Sequence, residues 1–144
     1  MKKIVLLLVC VFAVSVAKAD NDKPITVSQL PAKAQTFINT YFKDQKIALA
    51  KQESDVFYKS YDVVFTNGDK VEFNKSGEWT DLQFMQTGVP AELIPEAIRT
   101  YVSTNYPDAK ILKIERDRKE YDVKLSNRWE LTFDSKFRVI DIDD

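Results

Sequence analysis

Histidine is absent from all 144 residues. That removes the general base of Ser-His-Asp and Cys-His nucleophilic sites, and with it the commonest nitrogen ligand for a metal. The one cysteine, Cys10, lies in an apolar run at the start of the chain. With 3 glycines in all, no Gly-rich phosphate loop is present. Carboxylates are what remains for chemistry. Asp134, Asp141, Asp143 and Asp144 gather near the end of the chain as oxygen donors of the kind Ca2+ takes. Their spacing is not that of an EF-hand loop, and a solubilising acidic terminus accounts for them more simply. Asp62 and Asp122 each sit between a tyrosine and a valine, and paired carboxylates can act as acid and base. Strand positions facing lysines such as Lys70 or Lys124 explain them without catalysis. No constellation specifies a reaction, so the chain is read as a non-enzyme with no cofactor and no metal.

Recognition is the other chemistry to look for. In the stretch 79–85, Thr80, Leu82 and Phe84 alternate with Trp79, Asp81 and Gln83. The first set is the more apolar and is expected in the core. Trp79 is then expected on the opposite, open face of a sheet, near Tyr58, Asp62 and Val64. Exposed aromatics beside charges make binding anchors, so these four are the candidate partner-binding residues. The alternative is that Trp79 folds over the sheet edge or caps a neighbouring hairpin. Trp129 shares parity with Leu131 and Phe133 and is expected to be buried. Asn74-Lys75-Ser76 fits a glycosylation acceptor, a triplet that is common by chance.

The elements that must position these residues occur twice. Tyr61-Asp62-Val63 with Asn67 and Phe73 reappears in the same order, without a gap, as Tyr121-Asp122-Val123 with Asn127 and Phe133. Each copy alternates apolar and polar residues, breaks at a turn and resumes, which is a β-hairpin. Upstream, Leu30-Pro31 opens a helix whose Ala34, Phe37, Ile38, Tyr41 and Phe42 fall on one face. Ile94-Pro95, with Ile98, Tyr101, Val102 and Tyr106, repeats it ahead of the second hairpin. Strands are expected at 47–53, 57–65, 70–74 and 79–85, and again near 110–117, 120–126, 128–134 and 138–142. Asn67-Gly68 suits a hairpin turn that needs positive φ. Asp20 to Lys23 reads as a loose tail.

The expected fold is therefore α+β: one helix and about four antiparallel strands used twice, over about 26–86 and 89–143. Tyr61, Val63, Phe65, Val71 and Phe73 share one face with Tyr121, Val123, Leu125, Leu131 and Phe133 in the second copy. Asp62, Val64, Glu72 and Asn74 share the other with Asp122, Lys124, Glu130 and Thr132. One apolar and one mostly polar face is the signature of a sheet with helices on one side. Neither half could readily stand alone, so residues 20–144 are expected to form one domain.

Residues 1–19 read as a secretory signal peptide, with Lys2 and Lys3, the apolar run Ile4 to Val16, and Ala17-Lys18-Ala19 as a cleavage site. The run is shorter than the roughly 20 residues of a membrane span, so no span is expected after cleavage. Lipidation of Cys10 is the competing reading. Removing Lys2, Lys3 and Lys18 leaves 18 basic against 22 acidic residues, and no basic stripe for nucleic acid. The expected location is the periplasm or the exterior.

On Leu30-Pro31 with Ile94-Pro95, Tyr61-Asp62-Val63 with Tyr121-Asp122-Val123, and Phe73 with Phe133, the chain resembles the PepSY-like family of bacterial periplasmic proteins over about residues 26–143. That resemblance implies a fold similar to the β-lactamase inhibitor proteins, a tandem α/β repeat whose curved sheet grips an enzyme. It implies a binding or inhibitory role toward a protein or peptide, through the open face of the sheet. The alternative is an envelope assembly protein with no small-molecule ligand, forming a homodimer through that face or a sheet edge.

Overall fold

A computed structural model describes residues 22–144. The leader at 1–19, its cleavage after Ala19, and Cys10 all lie outside the described residues. Among the described residues the fold is α+β, with two α-helices, two short 3-10 turns and a nine-stranded, open antiparallel sheet. Strands β1 (Asp22–Ile25), β2 (Ile47–Ser54), β3 (Lys59–Phe65), β4 (Lys70–Asn74) and β5 (Trp79–Gln83) are followed by β6 (Ile111–Arg116), β7 (Glu120–Leu125), β8 (Glu130–Asp134) and β9 (Val139–Asp143). Each pairs only with its neighbours in sequence order, and β5–β6 pairing carries the sheet from one half into the other. Helix α1 (Ala32–Tyr41) links β1 to β2, and α2 (Glu96–Asn105) links β5 to β6.

Within the segment read as a loose tail, Asp22 and Lys23 belong to an edge strand instead, and Asp20 and Asn21 lie outside the described residues. Pro24 is tolerated in β1 because an edge strand can turn a missing N–H to solvent, and Lys51 holds Asp22 at 2.8 Å. Pro31 and Pro95 stand one residue before their helices as N-caps, where fixed φ of −54° and −53° sets the entry. Ala34 and Ile38, like Ile98 and Val102, are four apart and bury one stripe of each helix in a single core. Phe37 meets Phe73 edge to face at 5.6 Å, and Tyr101 meets Phe133 in the same manner at 5.5 Å. Phe42 packs against Phe65 and Phe84.

Four bulges interrupt the ladders. They fall at Ile47/Leu49, Glu72/Phe73, Ile111/Lys113 and Thr132/Phe133. An extra residue on one strand reverses the facing of everything beyond it. Turn positions that correspond in sequence also share unusual backbone: Gly68 and Arg128 have φ of 93° and 78°, Gly77 and Phe137 have 86° and 62°. Arg128 and Phe137 show that side chains can occupy this left-handed conformation here. Gly77 differs in what surrounds it. A Cβ there would lie 2.8 Å from the Ala34 backbone nitrogen and 3.0 Å from Pro31 and Lys33. Gly77→Ala is expected to destabilise by at least ~2 kcal/mol, from the left-handed penalty and displacement of the first turn of α1. Gly68→Ala, with nothing within 4 Å, should cost only the ~1–2 kcal/mol of the dihedral. Denaturant unfolding of the two variants ranks them, and the reverse order would refute the contact.

Candidate functional site

Register across the sheet aligns acidic residues that are far apart in sequence. Lys51 faces Asp62, Asp62 faces Glu72, and Glu72 faces Asp81. Asp81 faces Glu115 across the junction of the halves, Glu115 faces Asp122, and the row ends on Thr132 and Asp141. Directly opposed residues of an antiparallel pair project to the same side, and like charges so placed repel. The next row along holds Val64, Lys70, Gln83, Lys113 and Lys124. Lys70 and Lys113 of that row, and Lys51 at the end of the acidic row, pair with its carboxylates. Lys70 and Lys51 reach Asp62 at 3.4 and 3.6 Å, and Lys113 reaches Glu115 at 2.7 Å and Asp81 at 3.7 Å. Hydrogen bonding to Asp22 raises Lys51 above the ordinary lysine range despite partial burial.

Asp81 is the least satisfied member. Its side chain is 14% exposed, and its Oδ1 has no hydrogen-bond partner. Burial pushes the carboxyl up to about 6, against the pull of Lys113 and with the help of Glu115. The 3.7 Å ion pair therefore does not compensate for the lost water. Burial, and then Asp62, raises Glu72 in the same direction. A hollow of about 290 Å3 lies beside them, lined by Glu72, Asp81, Glu115, Glu120 and Asp122 among others. Among the described residues, no three acidic side chains converge closely enough to hold a metal ion as they stand.

The four residues expected to form one site are divided among three places. Asp62 and Val64 are on the polar face as expected, but Asp62 is not an exposed position: it is 6% exposed, wedged between two lysines. Trp79 lies on the other side. The bulge pairs Phe73 with Trp79 and Glu72 with Asp81, leaving Thr80 as the extra residue. Alternation counted straight through 79–85 thus put Trp79 on the wrong face. The indole is 8% exposed in the core, with the Arg116 guanidinium stacked 3.6 Å above its ring and Arg116 Nε donating to its carbonyl at 2.8 Å. Trp129 is half-buried, 6.3 Å from Tyr106, rather than fully enclosed. Tyr58 is outside β3, on the β2–β3 hairpin tip, and donates to Glu53 at 2.9 Å. Asp122 accepts from Thr132 at 2.9 Å, not from Lys124.

Trp79 and Arg116 form the floor of a second feature that sequence reasoning missed. A cleft of about 1090 Å3 lies where the halves meet, walled by Phe37 and Tyr41 of α1, by Leu93 and by Tyr121, with Lys33, Glu92 and Arg118 at its rim. Burial lowers the Arg116 guanidinium from its ordinary range. No carboxylate lies within 4 Å of it among the described residues. Its pairing with Trp79 depends on β5 meeting β6, which no local pattern signals.

Two helices on an open nine-stranded antiparallel sheet, with a charged row on one face, define the class of protein. The family identity follows from comparison. Residues 59–141 match the family described as "Putative beta-lactamase-inhibitor-like, PepSY-like", and the chain belongs to it. It is similar to a "putative calcium-regulated periplasmic protein" of Bacteroides thetaiotaomicron, at 63% identity and TM-score 0.85, covering 88% of this chain and 99% of that one. A Bacteroides vulgatus protein of the DUF2874 family, also described as periplasmic, is 62% identical at TM-score 0.84 with the same coverage. A second B. vulgatus protein, described as a "putative periplasmic protein of unknown function", is 38% identical at TM-score 0.80, covering 85% and 99%. Comparison with curated proteins gives no match.

Proposed function

We propose that the chain is a non-catalytic binding module of the bacterial periplasm, whose charged sheet face takes a protein or peptide partner rich in basic side chains. Its periplasmic location rests on the leader read in the sequence and on the description of its relatives. In this reading one helix-plus-four-strand unit is used twice, both helices lie against the apolar face, and the charged face is open. Among the described residues, no helix is long and apolar enough to cross a membrane.

The cross-strand row carries this reading. Opposing Asp62, Glu72, Asp81, Glu115 and Asp122 on successive strands works against stability. Such departures from local consistency concentrate where a protein binds something. A ligand bearing lysine or arginine would relieve the repulsion along the row. Calorimetric titration with a lysine- and arginine-rich peptide tests it. Binding should weaken with salt, and with acidification through about pH 6 as Asp81 loses its charge. Glu72→Gln with Glu115→Gln should weaken it by about tenfold, the size of one to two charged contacts. Affinity unchanged by that pair of substitutions would refute the reading. An enzyme with a basic rim would be a partner of this kind, in keeping with the inhibitor-like description of the family.

One relative's description favours a second reading, that a divalent cation occupies the same row. The carboxylates would have to draw together, since none are preassembled as a metal group among the described residues. Titration with calcium alone, without peptide, separates the two. Heat that saturates and is abolished by Glu72→Gln with Glu115→Gln would support the cation, and no heat would exclude it.

A further inference from the structure

Strand β9 repeats β5 position for position. Phe133 pairs with Val139 and Thr132 with Asp141, leaving Ile140 as the extra residue, just as Phe73 pairs with Trp79 and Glu72 with Asp81 around Thr80. Ile142 therefore stands where Leu82 does, and Asp141 and Asp143 stand where Asp81 and Gln83 do. The two strands differ in what lies beyond them. β6 covers the outer edge of β5: Ile114 opposes Leu82, which is fully buried, and Lys113 opposes Gln83 and reaches Asp81 at 3.7 Å. Among the described residues no strand covers the outer edge of β9, and Ile142 is 45% exposed. The Phe84 amide donates to the Leu112 carbonyl at 2.8 Å. Backbone groups alternate in direction along a strand, so those of Leu82, two residues back, also point at β6. Those of Ile142 correspondingly point out of the sheet. Pro24 blunts the opposite edge of the sheet, in β1, whereas β9 contains no proline.

We propose that the β9 edge takes an extended segment of the basic partner as a further antiparallel strand, with an apolar residue on Ile142 and lysine or arginine on Asp141 and Asp143. This rests on the reading that the charged face binds a basic protein or peptide, and it says how that partner lies. β6 shows what such an edge accepts: Ile114 against the core, with a lysine next to it. In an added strand, main-chain hydrogen bonds supply affinity and alternate side chains supply specificity. Charge selects the partner. Asp141 ends the acidic row, Asp143 lies beside it on the same face, and neither is in an ion pair among the described residues. Lys124 and Arg128 line a hollow there with Glu130, Asp143 and Asp144, so carboxylates outnumber cations. The same aspartates disfavour a second copy. An antiparallel β9 centred on Asp141, on Ile142 or on Asp143 sets aspartate against aspartate.

The test is calorimetric titration of the purified protein with a short peptide that alternates lysine and valine. Methylating the valine backbone nitrogens, which would donate to β9, should weaken binding by about tenfold, the effect of losing one or two hydrogen bonds. Methylating the lysine nitrogens instead, which would point away from β9, should be tolerated. Charge and composition are the same in both peptides, so attraction alone treats them alike. Ile142→Pro removes the outward amide and leaves the β8 ladder in place, and should also cost about tenfold. Asp141→Asn with Asp143→Asn, both exposed, should weaken binding to a similar degree without changing the melting temperature. Equal losses from the two methylations, or none from either, would overturn the proposal. If Glu72→Gln with Glu115→Gln weakens binding while Ile142→Pro and valine methylation do not, the face reading stands and the added strand falls. If the edge changes weaken binding and that pair does not, the strand stands and the face reading falls. No heat with the unmodified peptide overturns both. A protein that dimerises on concentration, and no longer does so with Ile142→Pro, would overturn the proposal by assigning the edge to a second copy.

Discussion

Replacing Phe73 or Phe133 by alanine is expected to remove about 3–5 kcal/mol of folding free energy in each case, the range for buried aromatics. Both side chains are fully buried, each at the centre of its own half. Each also meets a helical ring edge to face, Phe37 and Tyr101 respectively, and such pairs add ~0.5–1.5 kcal/mol beyond burial alone. The cavity would open where helix and sheet meet, a junction that backbone hydrogen bonds of the sheet keep from collapsing. Urea unfolding monitored by circular dichroism measures the loss. Tyr121→Ala makes an internal comparison, because Tyr121 is only half-buried and packs on Phe137 at 5.2 Å near the sheet end. Its loss should be clearly smaller than that of Phe133. Equal losses would mean that packing is uniform across the face, contrary to the burial seen.

Asp81→Asn is expected to make the protein more stable at neutral pH, by on the order of 2–3 kcal/mol. The folded carboxyl titrates at about 6, whereas the unfolded chain releases that proton near pH 4. Between those values the folded state holds a proton that the unfolded state has lost. Stability therefore falls as pH rises through that window and stays reduced above it. Asparagine carries no proton to lose, so the difference between variant and wild type should be absent below pH 4, grow to pH 6 and then level off. Lys113 would lose a partner at 3.7 Å but keep Glu115 at 2.7 Å. Comparing variant with wild type at each pH cancels the acid sensitivity of Asp117 and Asp134, whose carboxyls backbone amides hold below their ordinary range. A variant no more stable than wild type at pH 7 would show that burial of Asp81 is not costly. If the variant is more stable and also binds the basic peptide less well, stability and binding oppose each other at this residue.

Much of the fold was legible in the sequence because it is written in local periods. Alternation of Tyr61, Val63 and Phe65 against Asp62 and Val64 identified a strand with one wholly apolar side, since a strand turns successive side chains to opposite faces, though Ser60 and Asp62 on the other side are buried too. Ala34 and Ile38, or Ile98 and Val102, identified helices for the equivalent reason at a period of 3.6. Asn67-Gly68 announced its turn through the backbone that glycine allows. What alternation could not supply was the point at which it resets. One extra residue, Thr80, moved Trp79 from the expected polar face into the core, and nothing in the local residue types distinguishes that strand from an unbulged one. The tip Asp55-Val56-Phe57-Tyr58 could have been noticed, as consecutive apolar residues where the other half has Arg118-Lys119. Counting Phe57 and Tyr58 into the following strand concealed it. The acidic row and the Trp79–Arg116 stack were beyond any local reading. Asp81 opposes Glu115, and Arg116 reaches Trp79, only because β5 pairs with β6 across a long connection that includes α2. Single strands determine which residues face together. Only the register between distant strands, set by bulges and by closure of the common core, determines which charges must oppose one another.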